Sequence, residues 1–389
     1  MASSSGAADT LVHVAFNSTA THFVAATATG IRVFACNPLR HVYSKSGFDT
    51  AGEVTCADLV PAGPLVVAVV FREPPAAAAA AAADDDGCGQ GDYKVRYWNE
   101  LYCEMMPRMS PSCRGAVRAV LHAGGHAAVA GEDRVTLHET SRHAVRRAGE
   151  FDTGPNPLGV CALAAANGGG GGGAFVLACP RPARGEVQVR RGGRGGRVDV
   201  PAHRACIACV ALSRDGRLLA TASSKGTVVR VFSTADGKKL QELRRGKDRA
   251  DIHCMVFSPD SMWLAVSSDK ATIHVFRINL ESTSLAPGED GDGLQEAAAT
   301  PAATATDKQG SYLSFFTGFV PGYLKLSKAE CSLAKFRLRQ GVKYMVAFGR
   351  EPYTVLIIGM DGSFYRCQFD PVKAGDMKQL EYRNFMNIK

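Results

Sequence analysis

The chain has 389 residues, of which 46% are hydrophobic and 21% are charged, so it can bury one large core or two ordinary ones, and extended disorder of the whole chain is not expected. The 41 glycines and 18 prolines, with only 8% aromatic residues, favour many short strands joined by turns and disfavour a helical bundle. The net charge is +8, and no apolar run approaches the roughly 20 residues that span a bilayer. The polar start of the chain lacks the features of a secretory signal, so we expect a cytoplasmic protein.

Short segments with alternating apolar residues recur along the chain, and most begin at a Gly or Asp turn. This alternation is typical of strands. Where no low-complexity insert intervenes, their spacing is about 40 to 45 residues, the period of a four-stranded propeller blade. In chain order, the segments are 30–34, 93–98, 133–137, 185–189, 226–232 and 271–276.

Two of these units align with each other, because residues 211–225 match residues 256–270 in pattern and length. They are therefore interpreted as consecutive blades. Division of the chain by the period predicts an all-β fold, a single WD40-like seven-bladed β-propeller over residues 10–389, after a disordered segment 1–9. The seventh blade is expected to comprise residues 336–369 and an N-terminal strand at 12–16, a pairing that would close the ring.

Three inserts interrupt the period, at residues 76–91, 168–173 and 279–310. The first contains an alanine run, the second is a glycine run, and the third is polar and rich in alanine. Such compositions cannot build a packed core, so we expect surface loops. An apolar and aromatic cluster follows the third insert, and such a cluster on a long loop is a candidate for insertion.

The positive charge is concentrated in one part of the chain. Residues 181–250 contain 17 Lys and Arg against 6 Asp and Glu, whereas the remainder contains 28 against 31. A local excess of this kind indicates a partner that carries phosphate, either nucleic acid or an anionic membrane.

The strongest local signal is Leu243-Arg244-Arg245-Gly246, between the two aligned blades. Adjacent side chains on an extended segment point to opposite sides, so Arg244 and Arg245 are expected to serve two separate pockets. Guanidinium groups bind phosphate oxygens through paired hydrogen bonds. Each arginine has a parallel set of hydroxyl, cationic and imidazole neighbours, which suits a phosphorylated sugar-like headgroup. The first set is His203, Ser223, Lys225, Thr227 and Arg230 with Arg244; the second is Ser267, Ser268, Lys270, Thr272 and His274 with Arg245.

Enzymatic signatures are absent from the sequence, and neither a metal site nor a cofactor is predicted. The chain contains no nucleotide-binding, hydrolase or metalloprotease motif, although residues 192–197 form a superficial glycine pattern. The one C-x-x-C, Cys206 to Cys209, has no second pair of ligands, so we interpret most of the twelve cysteines as core residues.

The segment 202–276, with its Leu-Arg-Arg-Gly form of an F/L-R-R-G motif, and the segments 346–349 and 359–369 resemble the PROPPIN family. These proteins, also called WIPI or autophagy-related WD-repeat proteins, are seven-bladed propellers that bind phosphoinositides. The sequence looks most like the Leu-Arg-Arg-Gly subgroup, of plant-like ATG18 type. The resemblance implies that Arg244 belongs to a first lipid-headgroup site and Arg245 to a second, each with the neighbours named above.

The resemblance also implies a loop of the sixth blade that enters the bilayer. Its membrane-inserting residues would be Tyr312, Leu313, Phe315, Phe316, Phe319 and Val320. This chain departs from the family pattern at Thr317 and Gly322, which replace lysines, and at Ala271, where the family usually has glycine in the second site and a methyl group could crowd the pocket.

By this resemblance, the chain is a phosphoinositide effector for phosphatidylinositol 3-phosphate or the 3,5-bisphosphate in autophagosome formation. We expect a cytoplasmic monomer, peripheral on phagophore, endosomal or vacuolar membranes, with an ATG2-type lipid-transfer protein as partner. Nucleic acid is not expected as a partner, because a simple electrostatic footprint would not need the paired hydroxyl and His positions. The alternative is a propeller scaffold for protein or RNA that has lost lipid binding.

Overall fold

The computed structural model describes residues 10–48, 52–61, 65–73, 93–106, 115–141, 145–166, 174–192, 196–279 and 330–388. These residues form seven sheets, each built around four antiparallel strands. The seven-bladed β-propeller predicted from the repeat spacing is therefore confirmed. No helix able to cross a membrane occurs within these described ranges.

The first four blades have their strands in chain order from the centre outward. Blade one comprises β1 (Leu11–Phe16), β2 (His22–Thr27), β3 (Gly30–Cys36) and β4 (Leu39–Ser46). Blade two comprises β5 (Glu53–Leu59), β6 (Val66–Arg72), β7 (Tyr93–Asn99) and β8 (Glu104–Met105). Blade three comprises β9 (Val117–Ala123), β10 (His126–Gly131), β11 (Arg134–Thr140) and β12 (Val145–Asp152). Blade four comprises β13 (Ala162–Ala165), β14 (Phe175–Pro180), β15 (Glu186–Arg191) and β16 (Arg197–Pro201).

The last three blades differ in their outer strands. Blade five comprises β17 (Ile207–Leu212), β18 (Leu218–Ser223), β19 (Val228–Ser233) and β20 (Lys239–Arg244). Blade six comprises β21 (Ile252–Phe257), β22 (Trp263–Ser268), β23 (Thr272–Arg277) and β25 (Ala334–Arg337). The short strand β24 (Glu330–Cys331) adds in parallel to β20. Blade seven comprises β26 (Tyr344–Phe348), β27 (Thr354–Gly359), β28 (Ser363–Gln368) and β30 (Lys378–Asn384), and β29 (Gly375–Asp376) adds to β25.

The hydrophobic core lies between the blades. Each of seven buried clusters combines side chains from two neighbouring blades, so that Val229 and Leu243 of blade five pack with Phe257 and Leu264 of blade six. The alternation of each strand supplies one apolar face to the blade before it and another to the blade after it. The spacing and position of one blade therefore depend on its two neighbours.

The ring closes between blades seven and one, and the described part of the chain shows no strand exchanged between them. Strand β1 is the innermost strand of blade one and contacts β26, the innermost strand of blade seven. The Arg32 guanidinium donates hydrogen bonds to the carbonyls of Met386 (3.1 Å) and Ile388 (2.5 Å), and Arg366 donates to the Cys36 carbonyl (2.7 Å). Phe385, in the 3-10 turn Phe385–Asn387, packs within this junction.

This closure corrects the expected composition of the seventh blade. An N-terminal strand at 12–16 does not join it. The fourth strand of blade seven is β30, which pairs directly with β28 and, like the rest of this blade, comes from the C-terminal part of the chain. Phe336 lies on β25, which is the outer strand of blade six. The third insert separates β23 from β25, so a pattern based on spacing assigns β25 to the next blade.

Candidate functional site

Arg244 and Arg245 lie where β20 ends and the chain continues toward blade six. Arg244 is exposed and pairs with Val228 of the neighbouring strand. Arg245 is only 9% exposed, and its Nε donates a 2.9 Å hydrogen bond to the Gly226 carbonyl while Nη2 donates to the Asp248 carbonyl. One arginine is therefore available at the surface, and the other is held against a turn of blade five.

The turn from Ser223 to Thr227 carries three residues of the first predicted set. The Gly226 amide donates to the Ser223 carbonyl (2.8 Å), and Gly226 has a φ of +61°, in the left-handed region. A Cβ at this position would lie 1.8 Å from the Ala250 carbonyl oxygen, so only glycine allows this close approach. The Arg245 amide donates to the Thr227 carbonyl (3.0 Å), which fastens the arginine pair to the turn.

Beside this turn, His203 and Arg230 form a connected polar network. Arg230 Nη1 donates to the Ala202 carbonyl (2.7 Å), and Arg230 Nε bonds a carboxylate oxygen of Glu242 (2.7 Å). His203 Nε2 lies 3.2 Å from the Thr221 carbonyl, which can only accept, so this nitrogen carries the proton. Burial, reinforced by the Arg230 charge, lowers the pKa of His203 to about 4. The imidazole is therefore neutral near pH 7.

Strand β19 pairs Arg230 with both Thr221 and Glu242, so all three lie on one face of blade five. The first set is thereby assembled as a shallow surface: Ser223 is buried, Thr227 is half-buried, and Lys225 and Arg244 are exposed. Thr221 and Glu242 were missed from sequence, because their roles depend on cross-strand register.

The second predicted turn, Ser268 to Thr272, repeats the closing hydrogen bond and the left-handed residue of the first. Its connection to the third strand is one residue shorter, because His274 pairs with Val266 whereas Arg230 pairs with Thr221. The Ala271 amide donates to the Ser268 carbonyl (3.1 Å), and Ala271 has a φ of +51°. Ala271 thus adopts the left-handed backbone conformation, which costs an L-residue about 1 to 2 kcal/mol. The departure from the family glycine appears here as backbone strain. Lys270 is exposed and lies 3.2 Å from a carboxylate oxygen of Asp269.

His274 occupies in blade six the strand position that Arg230 has in blade five. Its Nδ1 is hydrogen-bonded to the Ser332 hydroxyl (3.1 Å), a residue that sequence analysis did not select. Burial lowers the pKa of His274 to about 4, with smaller contributions from the charges of Lys335 and Arg245. His274 and Arg245 are therefore near enough to interact electrostatically.

The structure does not bring Ser267 together with the other members of the second set. Its hydroxyl donates a 2.8 Å hydrogen bond to the Tyr344 carbonyl of blade seven, and the residue is fully buried. Ser268 is the neighbour that aligns with Ser223, and Thr272 remains half-buried at the start of β23. The six residues assigned to a membrane-inserting loop, between 312 and 320, lie outside the described residues.

The architecture and this pair of repeated turns define a seven-bladed propeller with two polar, cationic surfaces on adjacent blades. Residues 127–292 match the PROPPIN family model. The chain is 30% identical over 383 residues to Autophagy-related protein 18e of Arabidopsis thaliana, covering 97% of this chain and 89% of that protein. The chain therefore belongs to the PROPPIN family and is an autophagy-related propeller protein.

A shorter sequence match and two more distant structural matches are consistent with this family and fold. SVP1-like protein 2 of Neurospora crassa is 36% identical over 180 residues, covering 46% of this chain and 39% of that protein. The solved structure of Kluyveromyces lactis Hsv2 superposes with a TM-score of 0.68 at 18% identity, covering 97% of this chain and 99% of that one. A complex of KlAtg21 with the coiled-coil of AgAtg16 gives the same TM-score at 17% identity, with the same coverage of both chains. These structures support the fold.

Proposed function

We propose that this protein is a phosphoinositide-binding effector, recruited reversibly to membranes that carry phosphatidylinositol 3-phosphate or the 3,5-bisphosphate. The observation that carries the proposal is the repeated turn on blades five and six, with Arg244 exposed beside the first turn and Arg245 hydrogen-bonded to that turn. Guanidinium, ammonium and hydroxyl donors on adjacent surfaces suit phosphorylated headgroups.

Each surface alone supports only weak attachment. A Lys or Arg near an anionic membrane contributes about 1 kcal/mol, and a single membrane signal is marginal. Two linked sites make the second contact intramolecular and raise the overall avidity by about 10² to 10⁴. The predicted apolar loop at residues 312–320 would add a third contact. Reversible recruitment follows from this combination.

The biological role in the proposal is that of a non-enzymatic scaffold for autophagosome formation. The PROPPIN family consists of non-enzymatic autophagy effectors. We place the protein peripherally on phagophore, endosomal or vacuolar membranes, where it would hand over to an ATG2-type lipid-transfer protein. The complex of KlAtg21 with the coiled-coil of AgAtg16 supports a propeller that engages protein partners.

The test is flotation with vesicles that contain phosphatidylinositol 3-phosphate, the 3,5-bisphosphate, or neither, at physiological salt. The natural chain should float only with the phosphoinositides, and Arg244→Thr plus Arg245→Thr should release it. The matched control is Arg214→Thr plus Arg217→Thr, which removes the same charge from exposed positions at the turn between β17 and β18, at the other edge of blade five.

Because Arg245 is hydrogen-bonded to two carbonyls, the double variant requires a companion that preserves folding. Arg244→Gln changes only an exposed side chain and should weaken flotation about tenfold, as expected for one lost charge-assisted contact. Flotation that is indifferent to these arginines and to inositol phosphorylation would overturn the proposal. It would favour the scaffold for protein or RNA, whose nucleic-acid binding would instead depend strongly on salt.

A further inference from the structure

The outer strands of blades five and six can be compared residue by residue through their register with the third strands. In blade five, Arg244 lies opposite Val228, and Glu242 lies opposite Arg230. Directly opposed residues of an antiparallel pair project from the same face of the sheet. The exposed Arg244 and the carboxylate of Glu242 therefore border the same surface, two residues apart on β20.

In blade six, strand β25 occupies the position of β20. Arg337 lies opposite Thr272, and Lys335 lies opposite His274. Since His274 has the place of Arg230, Arg337 is the counterpart of Arg244. Arg337 and Lys335 are both exposed. Neither residue was selected from the sequence, because the insert between β23 and β25 hides their relation to the turn.

The two outer strands carry different charges. Glu242 of blade five is only partly exposed and bonds Arg230 at 2.7 Å. Blade six has Lys335 where blade five has this carboxylate. Within the described residues, neither Lys335 nor Arg337 has an ion-pair partner. The second surface is therefore bordered by two cations that form no ion pair among the described residues, about 7 Å apart along the strand; Asp376 of β29 is the acidic residue paired in register with Lys335.

The other cations of the second set are already engaged. The Arg245 guanidinium bonds the Gly226 and Asp248 carbonyls, and the Asp269 charge acts on it as well. Lys270 is 3.2 Å from the same Asp269. The positive charge that remains free to meet a ligand at this surface thus comes from β25.

We propose that β25 supplies the phosphate-binding cations of the second headgroup site. Arg337 has there the role that Arg244 has in blade five, and Lys335 gives this site its affinity for a second phosphate on the headgroup. A carboxylate at the matching place in blade five disfavours an additional phosphate, whereas an ammonium group attracts one. This inference rests on the proposed phosphoinositide function.

The experiment uses vesicles with phosphatidylinositol 3-phosphate or the 3,5-bisphosphate, matched in total surface charge with phosphatidylserine. Variants are made in the Arg244→Gln background, so that binding depends on the second site. Arg337→Gln should lower affinity for both lipids about tenfold, whereas Lys335→Glu should lower affinity for the bisphosphate about tenfold and change that for the monophosphate less than twofold.

Two controls carry the same changes of charge at the opposite edges of the blades. Arg277→Gln alters the exposed end of β23, and Lys238→Glu alters the exposed turn before β20; both should bind like their parent. Lys335→Ser and the melting temperature of every variant separate lost binding from lost folding.

The failures can be told apart. If the natural chain floats with neither lipid, the proposed function fails and this inference fails with it. If the natural chain floats and the double arginine variant is released, but Arg337→Gln and Lys335→Glu bind normally, only the role of β25 is overturned. An equal loss for both lipids in Lys335→Glu would overturn its role in recognising a second phosphate.

Discussion

The turns after β18 and β22 share a closing hydrogen bond and a left-handed residue, although the connection in blade six is one residue shorter, and the strands beside them carry different side chains. Both turns close through an amide three residues after a serine carbonyl, and both place the closing residue in the left-handed region. One surface then has Arg230 bonded to Glu242, and the other has His274 opposite Lys335. Main-chain hydrogen bonds therefore preserve the shape of the repeat, while its charge has diverged.

The largest expected difference between the two turns concerns the left-handed position itself. Gly226→Ala should lower the free energy of unfolding by about 3 kcal/mol, because the new methyl group would meet the Ala250 carbonyl oxygen and the backbone must move. Denaturant-induced unfolding measures the change. A decrease in the free energy of unfolding of less than about 1 kcal/mol would contradict this expectation. It would show that the loop after β20, which carries Ala250, moves aside at little energetic cost.

The next comparison sets the ion-paired arginine of β19 in blade five against the lysine of β25 in blade six, which has no ion pair among the described residues. Arg230→Met should lower the free energy of unfolding by about 2 kcal/mol, since it removes the bonds to Glu242 and the Ala202 carbonyl and leaves the half-buried carboxylate only its 3.8 Å ion pair with Lys239. Lys335→Met, at an exposed site, should change stability by less than about 0.5 kcal/mol. The same unfolding measurement serves both variants, and equal losses would contradict the difference in pairing.

The histidines of both surfaces should respond alike to pH. Their folded pKa values, about 4 for His203 and His274, lie below the unfolded value near 6.5. The stability contribution is therefore complete above pH 6.5 and declines as the pH falls toward 4, by about 1 kcal/mol per histidine between pH 6.5 and 5.5.

Burial is the main cause of the lowered pKa at each histidine, and charged neighbours modify it: Arg230 lowers and Glu242 raises the pKa of His203, whereas Lys335 and Arg245 lower that of His274. Titration of the imidazole resonances by NMR should give midpoints near 4. Unfolding of a His203→Gln plus His274→Gln variant should lack the corresponding loss at acidic pH. Midpoints near 6.5 would contradict burial of the two rings.

The smallest effect is expected at the alanine of the second turn. Ala271→Gly relieves the left-handed strain but increases the flexibility of the unfolded chain, so stability should rise by only about 0.5 kcal/mol. Thermal unfolding compares it with the natural chain. A decrease would mean that packing of the buried methyl group outweighs the strain.

The fold was predictable where two repeats could be aligned. Residues 211–225 and 256–270 have matching patterns, and they form the matching inner strands and turns of blades five and six. The seventh blade was less accessible, because an insert divides blade six and makes β25 look like the start of a new unit. The pairing of β28 with β30 is a long-range fact that spacing does not encode.

The candidate site was predictable to the level of residue type but not of partner. The position of Arg244 and Arg245 at a strand end follows from the motif, whereas the bonds of Arg245 to carbonyls require the turn in three dimensions. Ser267 and Ser268 are equivalent in sequence, and only the face of β22 separates them. Glu242, Ser332, Lys335 and Arg337 enter through cross-strand contacts.

The junction between blades seven and one is held by side-chain contacts. Arg32 and Arg366 donate hydrogen bonds to carbonyls across it, and phenylalanine rings pack within it. Among the described residues, no hydrogen-bonded strand pairing joins the two blades. Blades seven and one can therefore separate at this junction while every sheet keeps its own hydrogen bonds. Breathing of the ring is therefore expected to expose side chains at this seam before amide protons of the strands exchange with solvent.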